Sequence, residues 1–162
     1  KLKTLMGREY AAKEVVTLVG PSLKSIENVR VLGPERNQTQ VEISRTDTFL
    51  LKVSPPVRPS GDLAGSERIV VVGPCGSIYL TEGVIIANRH IHLTPEYAKK
   101  HNINDNDFVD VIAQGIKPTK FYDVQVRIRD DFNVEMHIDT DDANSAGLKT
   151  GDVVKILKKQ HQ

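Results

Sequence analysis

The chain has 162 residues, of which 39% are hydrophobic and 27% charged, with a formal net charge of +1 at neutral pH. That composition is ordinary for a globular protein of one domain or two small ones. The near-neutral charge and the absence of tryptophan give no footing to a nucleic-acid or anionic-membrane binder, and no apolar run approaches the roughly 20 residues of a membrane helix.

The opening Lys1-Leu2-Lys3-Thr4-Leu5-Met6 lacks the apolar stretch and cleavage site of a signal peptide. Segments 14–19, 28–32, 40–43 and 68–72 are short, rich in β-branched residues and bounded by Gly, Pro or Asn, which predicts strands. Cys75, the one cysteine, stands in Val72-Gly73-Pro74-Cys75-Gly76, a turn between strands. It has no disulfide partner and no histidine near it in sequence, which points to a reducing compartment and away from a nucleophile. Strands follow at 77–80 and 83–87, then the extended Arg89-His90-Ile91-His92. A short helix is predicted from Thr94, with Pro95 at its first position and Glu96 facing the positive end of its dipole. His101, at the end of that helix, needs no further role. Strands at 108–112 and 124–128 precede Val134-Glu135-Met136-His137-Ile138-Asp139. A second helix begins near Asp139 and ends at Gly147, suited to a left-handed cap. A strand at 153–157 leads into a polar tail containing His161.

Many short strands with few helices predict a mainly β fold of barrels or sandwiches. The chain also repeats itself. Ala98, Ile103, Asp107, Val109 and Val111 match Ala143, Leu148, Asp152, Val154 and Ile156 at a constant interval of 45 residues. Asn28-Val29-Arg30-Val31 followed by residues 41–47 resembles Asp123-Val124-Gln125-Val126 followed by residues 134–140. Duplication of this kind leads to two pseudo-symmetric small β-barrels with short capping helices, one over 1–82 and one over 83–162, with strands exchanged between them.

His90 and His92 carry the most chemistry. In an extended strand they share one face while Ile91 turns to the other. Paired neutral imidazoles are half of a metal site, and a third from another strand, His137, would leave one position open as catalytic zinc requires. Zinc leads on this ligand set, with cobalt, nickel, iron and manganese as alternatives.

The run Gly83-Val84-Ile85-Ile86-Ala87-Asn88-Arg89-His90-Ile91-His92-Leu93 closely resembles the propanediol-utilisation type of phosphotransacylase, the phosphate propanoyltransferases. So do Val19-Gly20-Pro21, residues 28–34, residues 40–47, Ser60-Gly61-Asp62 and residues 135–141, in that order along the chain. The resemblance implies two β-barrel domains, a two-zinc site, and reversible conversion of a short-chain acyl-CoA (propanoyl or acetyl) and phosphate to acyl phosphate and CoA. It further implies Glu42 as a ligand of the first metal and His90, His92 and His137 as ligands of the second. Arg36 would bind phosphate, and Arg30, Asn144 and Lys3 would contact CoA. A further Ser-Asn-Arg-His-x-His segment, supplying two ligands of the first metal and part of the CoA site, is expected upstream of residue 1. On that expectation this chain is a truncated form of impaired activity.

An arginine suits phosphate because guanidinium is a planar, permanently charged fork. Direct attack by metal-bound phosphate on the thioester, without an acyl-enzyme, is the expected mechanism, since no Ser-His pair is evident and Cys75 is badly placed. Two alternatives stand beside it: a metal-dependent hydrolase, and a non-catalytic β-barrel module with a structural metal. The expected setting is the cytoplasm or a bacterial microcompartment, with self-association possible and no nucleic-acid or membrane partner.

Overall fold

A computed structural model describes residues 1–157; His161 lies outside the described residues. The architecture is mainly β with three short helices, as the strand-rich sequence predicts. Two compact units divide the chain, Lys1–Ala87 and the segment from Asn88 on.

The first unit contains β1 (Lys3–Thr4), β2 (Tyr10–Val19), β3 (Ser25–Gly33), β4 (Val41–Glu42), α1 (Arg45–Leu51), β5 (Val57–Arg58), β6 (Glu67–Gly73) and β7 (Gly76–Ala87). Its strands run in the order β1-β2-β6-β7-β4, with β3 paired to β2 and β5 to β7. β6 and β7 form a hairpin with Gly73 opposite Gly76, so Pro74 and the exposed Cys75 are its tip. The sequence separates 77–80 from 83–87, but the two are one strand through Gly83. Gly83 has φ +126°, and a Cβ there would lie 2.6 Å from the Thr39 carbonyl oxygen, so only glycine suits the position. Leu18, Val41, Ile43, Leu51, Val53, Ile69 and Val84 form the core of this unit.

The second unit contains β8 (His90–Leu93), α2 (Pro95–His101), β9 (Phe108–Ala113), β10 (Thr119–Ile128), β11 (Glu135–His137), α3 (Thr140–Ala146) and β12 (Val154–Leu157), in the sheet order β11-β8-β10-β9-β12. Alternation sends Ile91 and Leu93 of β8, and Val124 and Val126 of β10, into a core shared with Val109, Val111 and Phe121.

The three helices are built alike. Ser44, Thr94 and Asp139 are extended N-caps whose side chains accept from the backbone N–H three residues on. Lys52, Asn102 and Gly147 are left-handed C-caps, each eight residues after its N-cap. The next N–H then reaches back in the same way: Val53 to Thr48, Ile103 to Ala98, and Leu148 to Ala143. The 45-residue repeat is thus present in the second unit down to its hydrogen bonds: Asn104 N–H donates to Asp107 as Lys149 N–H does to Asp152.

α1 is not among the elements the sequence predicts, and the likeness of residues 41–47 to 134–140 rests on their shared Val-Glu. The structure corrects that alignment by two residues. Asn28 and Asp123 both take positive φ (60° and 55°), and Ser44 and Asp139 both cap helices, which sets one interval of 95 residues throughout. On that interval Glu42 corresponds to His137.

Candidate functional site

β8, β10 and β11 assemble a grid on one face of the second sheet. β8 pairs in parallel with β10, setting Arg127 beside His92 and Gln125 beside His90. β11 pairs antiparallel on the other edge, setting Glu135 beside His92 and His137 beside His90. Side chains in register share a face, so the two rows read Glu135-His92-Arg127 and His137-His90-Gln125. The residues between them, Ile91, Met136 and Val126, turn to the core.

The three imidazoles converge, with one ligand nitrogen from each lying within 4.8 Å of the others. Ring centroids are 4.8 Å apart for His90 and His92, 5.1 Å for His90 and His137, and 4.5 Å for His92 and His137. His90 Nδ1–H donates to the Asn88 carbonyl at 3.0 Å, which fixes the tautomer and leaves Nε2 as its lone-pair nitrogen. Asn88 is itself tied down, since its side-chain NH2 donates to Gln125 at 3.0 Å, and Gln125 in turn donates to Asn106. Phe132 stacks on His92 at 3.9 Å between centroids and carries the Arg129 guanidinium 4.7 Å from its ring centre.

Burial pushes the His92 imidazole down to about 3, helped by the charges of His137, His90, Arg127 and Arg129. Burial also lowers His90, against the opposing Asn88 hydrogen bond. Both rings are therefore neutral at pH 7, the form that binds metal. His137 Nε2 is buried and has no hydrogen-bond partner among the described residues; its neighbour Glu135 stands 3.9 Å away, beyond bonding range. A buried nitrogen so left, facing two neutral imidazoles, fits a metal ligand. The cluster can hold a metal ion.

Glu42 lies in the first unit, exposed on β4. There a cavity of about 500 Å³ is lined by Arg30, Arg36, Gln40 and Glu42, with Val16, Leu18, Val29, Val31 and Val71 among its apolar walls. Arg36 donates to Glu9 at 2.8 Å and to Ser60 Oγ at 3.3 Å. Gln40 continues the chain, donating to Ser60 Oγ at 2.8 Å and to the Glu42 carboxylate, and accepting from Gly61 N–H at 2.8 Å. Arg30 donates to the carbonyls of Ala12 and Lys13 at 3.1 and 2.8 Å. Lys3 is exposed on β1, and Asn144 is exposed on α3, in the second unit. The structure thus brings His90, His92 and His137 together, and separately Arg30, Arg36 and Glu42; Lys3 and Asn144 belong to neither group.

Sequence reasoning missed Asn88, Gln125 and Phe132 around the imidazoles, and Gln40 and Ser60 around Glu42. Asn88, Gln40 and Ser60 stood inside motifs already singled out for their family likeness. The others depend on strand register and on a loop fold that no local pattern encodes.

Comparison with known proteins gives one consistent result. The family model described as phosphate propanoyltransferase matches residues 1–149. The chain is 56% identical over 151 residues to a phosphate propanoyltransferase of Thermotoga maritima, covering 93% of this chain and 71% of that protein. It is 51% identical over 157 residues to one from Lachnoclostridium phytofermentans (97% and 74%). With one from Clostridioides difficile it is 47% identical over 160 residues (98% and 76%).

Proposed function

This chain belongs to the phosphate propanoyltransferase family, an acyltransferase family, and from that premise we propose that it exchanges phosphate for CoA on a short-chain acyl group, with zinc held by His90, His92 and His137. The observation that carries the metal assignment is the convergence of three imidazole nitrogens, one of them buried and without a hydrogen bond.

In the proposed reaction a phosphate oxygen forms a bond to the thioester carbonyl carbon, the C–S bond breaks, and CoA leaves as the thiolate. Thiolate is a stable leaving group, so no general acid is required. Zinc, when bound, would supply Lewis-acid stabilisation of the negative charge that develops on oxygen. Arg36 binds phosphate through its fork of N–H donors. Its pair with Glu9 is exposed on both sides, and exposed pairs are held by only about 0–1 kcal/mol, so an incoming dianion displaces Glu9 at little cost. Ser60 and Gln40 link Arg36 to Glu42 and orient both. Glu42 remains the proposed ligand of a first metal, and Arg30, Lys3 and Asn144 the proposed CoA contacts. Because His90 and His92 are neutral at pH 7, neither needs to lose a proton before metal binds.

The test measures thiol release from propanoyl-CoA with and without phosphate, with the acyl phosphate trapped by hydroxylamine and zinc counted per chain. Thiol release that depends on phosphate, together with a stoichiometric hydroxamate, is expected. Release at the same rate without phosphate would convert the reading to a metal-dependent thioester hydrolase. Arg36→Gln is expected to raise the phosphate KM at least tenfold with little change in the KM for acyl-CoA, the size of one charged hydrogen-bonding pair.

A further inference from the structure

Arg127 stands at a corner of the imidazole grid. It sits on β10 directly in register with His92, on the same sheet face as all three histidines, and is half-buried. Neighbouring arginines are matched: Arg89 to Asp142 at 3.2 Å and Arg129 to Asp131 at 2.7 Å. Among the described residues the Arg127 side chain has neither a hydrogen bond nor an ion pair. Glu135, the only acid in its row, is two strands away, on the far side of His92.

A half-buried guanidinium without a counter-charge is costly, because it gives up hydration and receives nothing for it. Its field reaches the imidazole cluster, as its part in lowering both His90 and His92 attests. Such repulsion opposes a bound cation, so Arg127 is a poor device for holding the metal. A ligand that carries negative charge to the same place reverses that sign. It would satisfy the guanidinium and be attracted by the metal at once.

We propose that Arg127 is a second anion-binding arginine, which holds a phosphoryl group over the His90, His92 and His137 face from the β10 side. The inference builds on the function proposed above and adds to it the residue that orients the anion in the second unit. The phosphoryl group is either inorganic phosphate or a phosphate of CoA; the chemistry of recognition is the same, a bidentate N–H fork on two oxygens.

The test is isothermal titration of the zinc-loaded full chain with inorganic phosphate and, separately, with CoA. Arg127→Gln and Arg127→Met are measured beside the unchanged protein, with zinc content and circular dichroism recorded for each. Two variants are used so that misfolding of one leaves the question open to the other, and Arg127→Met keeps an apolar stem along the strand. The expected result is ten- to hundredfold weaker phosphate binding with zinc per chain unchanged. The same loss for CoA with phosphate unaffected also supports the proposal and identifies CoA as the source. Unchanged affinity for both ligands overturns it, as does failure of the unchanged protein to bind either. The acyltransferase reading fails separately: it falls if the unchanged protein releases no thiol, while an Arg127-dependent affinity for phosphate would still establish the anion site.

Discussion

At the scale of the residue, the site is a product of strand alternation. His90 and His92 share a face because Ile91 and Leu93 are drawn into the core, where they are 3% and 0% exposed. Their chemistry was legible in the sequence for that reason, since His-x-His and the later Met-His-Ile carry the period of a strand. Arg127 was not legible. Its value comes from a parallel register between strands more than thirty positions apart, and a one-residue slip would have put Val126 there instead. The hierarchy of contacts yields a prediction. His137→Ala removes a proposed ligand and is expected to weaken zinc by more than about a hundredfold, whereas Phe132→Ala removes only the ring stacked on His92 and should cost about tenfold, the low end of the range for an outer-shell partner. Competition titration against a chromophoric chelator would rank them, and equal losses would mean that the third imidazole contributes no more than the stacked ring.

At the scale of the element, caps and close approaches dominate. The sequence disclosed α2 and α3 through Thr94, Pro95 and Gly147, but α1 escaped although Ser44 and Asp47 form a complete capping box. Its seven residues end on Lys52 rather than glycine, so the stop signal was missing. α1 also explains Gly20. A Cβ there would lie 1.9 Å from the Leu51 carbonyl oxygen at the end of the helix, a collision with backbone that no rotamer relieves. Gly20→Ala is therefore expected to destabilise the first unit by about 3 kcal/mol or more, read as a lowered urea midpoint. β6 offers a milder case. The Glu67 carboxylate accepts from the N–H groups of Arg68 and Ser54 at 2.9 and 3.0 Å, holding the segment after α1 against the strand. These bonds, Arg68 first, lower its pKa below the ordinary 4.5. Because the folded value is the lower one, the stabilisation is present above pH 4.5 and is lost as pH falls through the folded value. Glu67→Gln should cost about 1 kcal/mol at neutral pH and show a smaller loss on acidification, measured by denaturation at both pH values; parallel acid limbs would dissociate Glu67 from the effect.

At the scale of the whole molecule, each unit has its own apolar core, and in the second unit that core is built without the histidines. The imidazole face and the core face are opposite sides of the same strands. Chelation is therefore expected to leave a folded, β-rich protein with no bound metal, in contrast to a structural zinc domain, which unfolds when stripped. Added zinc should then raise the melting temperature by ligand linkage. Collapse of the circular dichroism spectrum on chelation would instead make the metal part of the fold. Composition and periodicity disclosed the mainly β class and the 45-residue repeat; the path of the strands within each sheet was beyond them, because ladder order is set by pairings distant in sequence. Among the described residues no helix is long and apolar enough to cross a membrane.

The common build of the three helices has a consequence for how this chain tolerates change in length. Glu42, His92 and His137 each stand two residues before an N-cap, with Ile43, Leu93 or Ile138 between. That spacing works like a reading frame. One codon gained or lost between that side chain and the cap would turn the imidazole or carboxylate toward the core and its aliphatic neighbour toward solvent, whereas a change of two would keep the facing and shift only the reach. Length variation should therefore accumulate in the turns between strands and be purged from these three dipeptides.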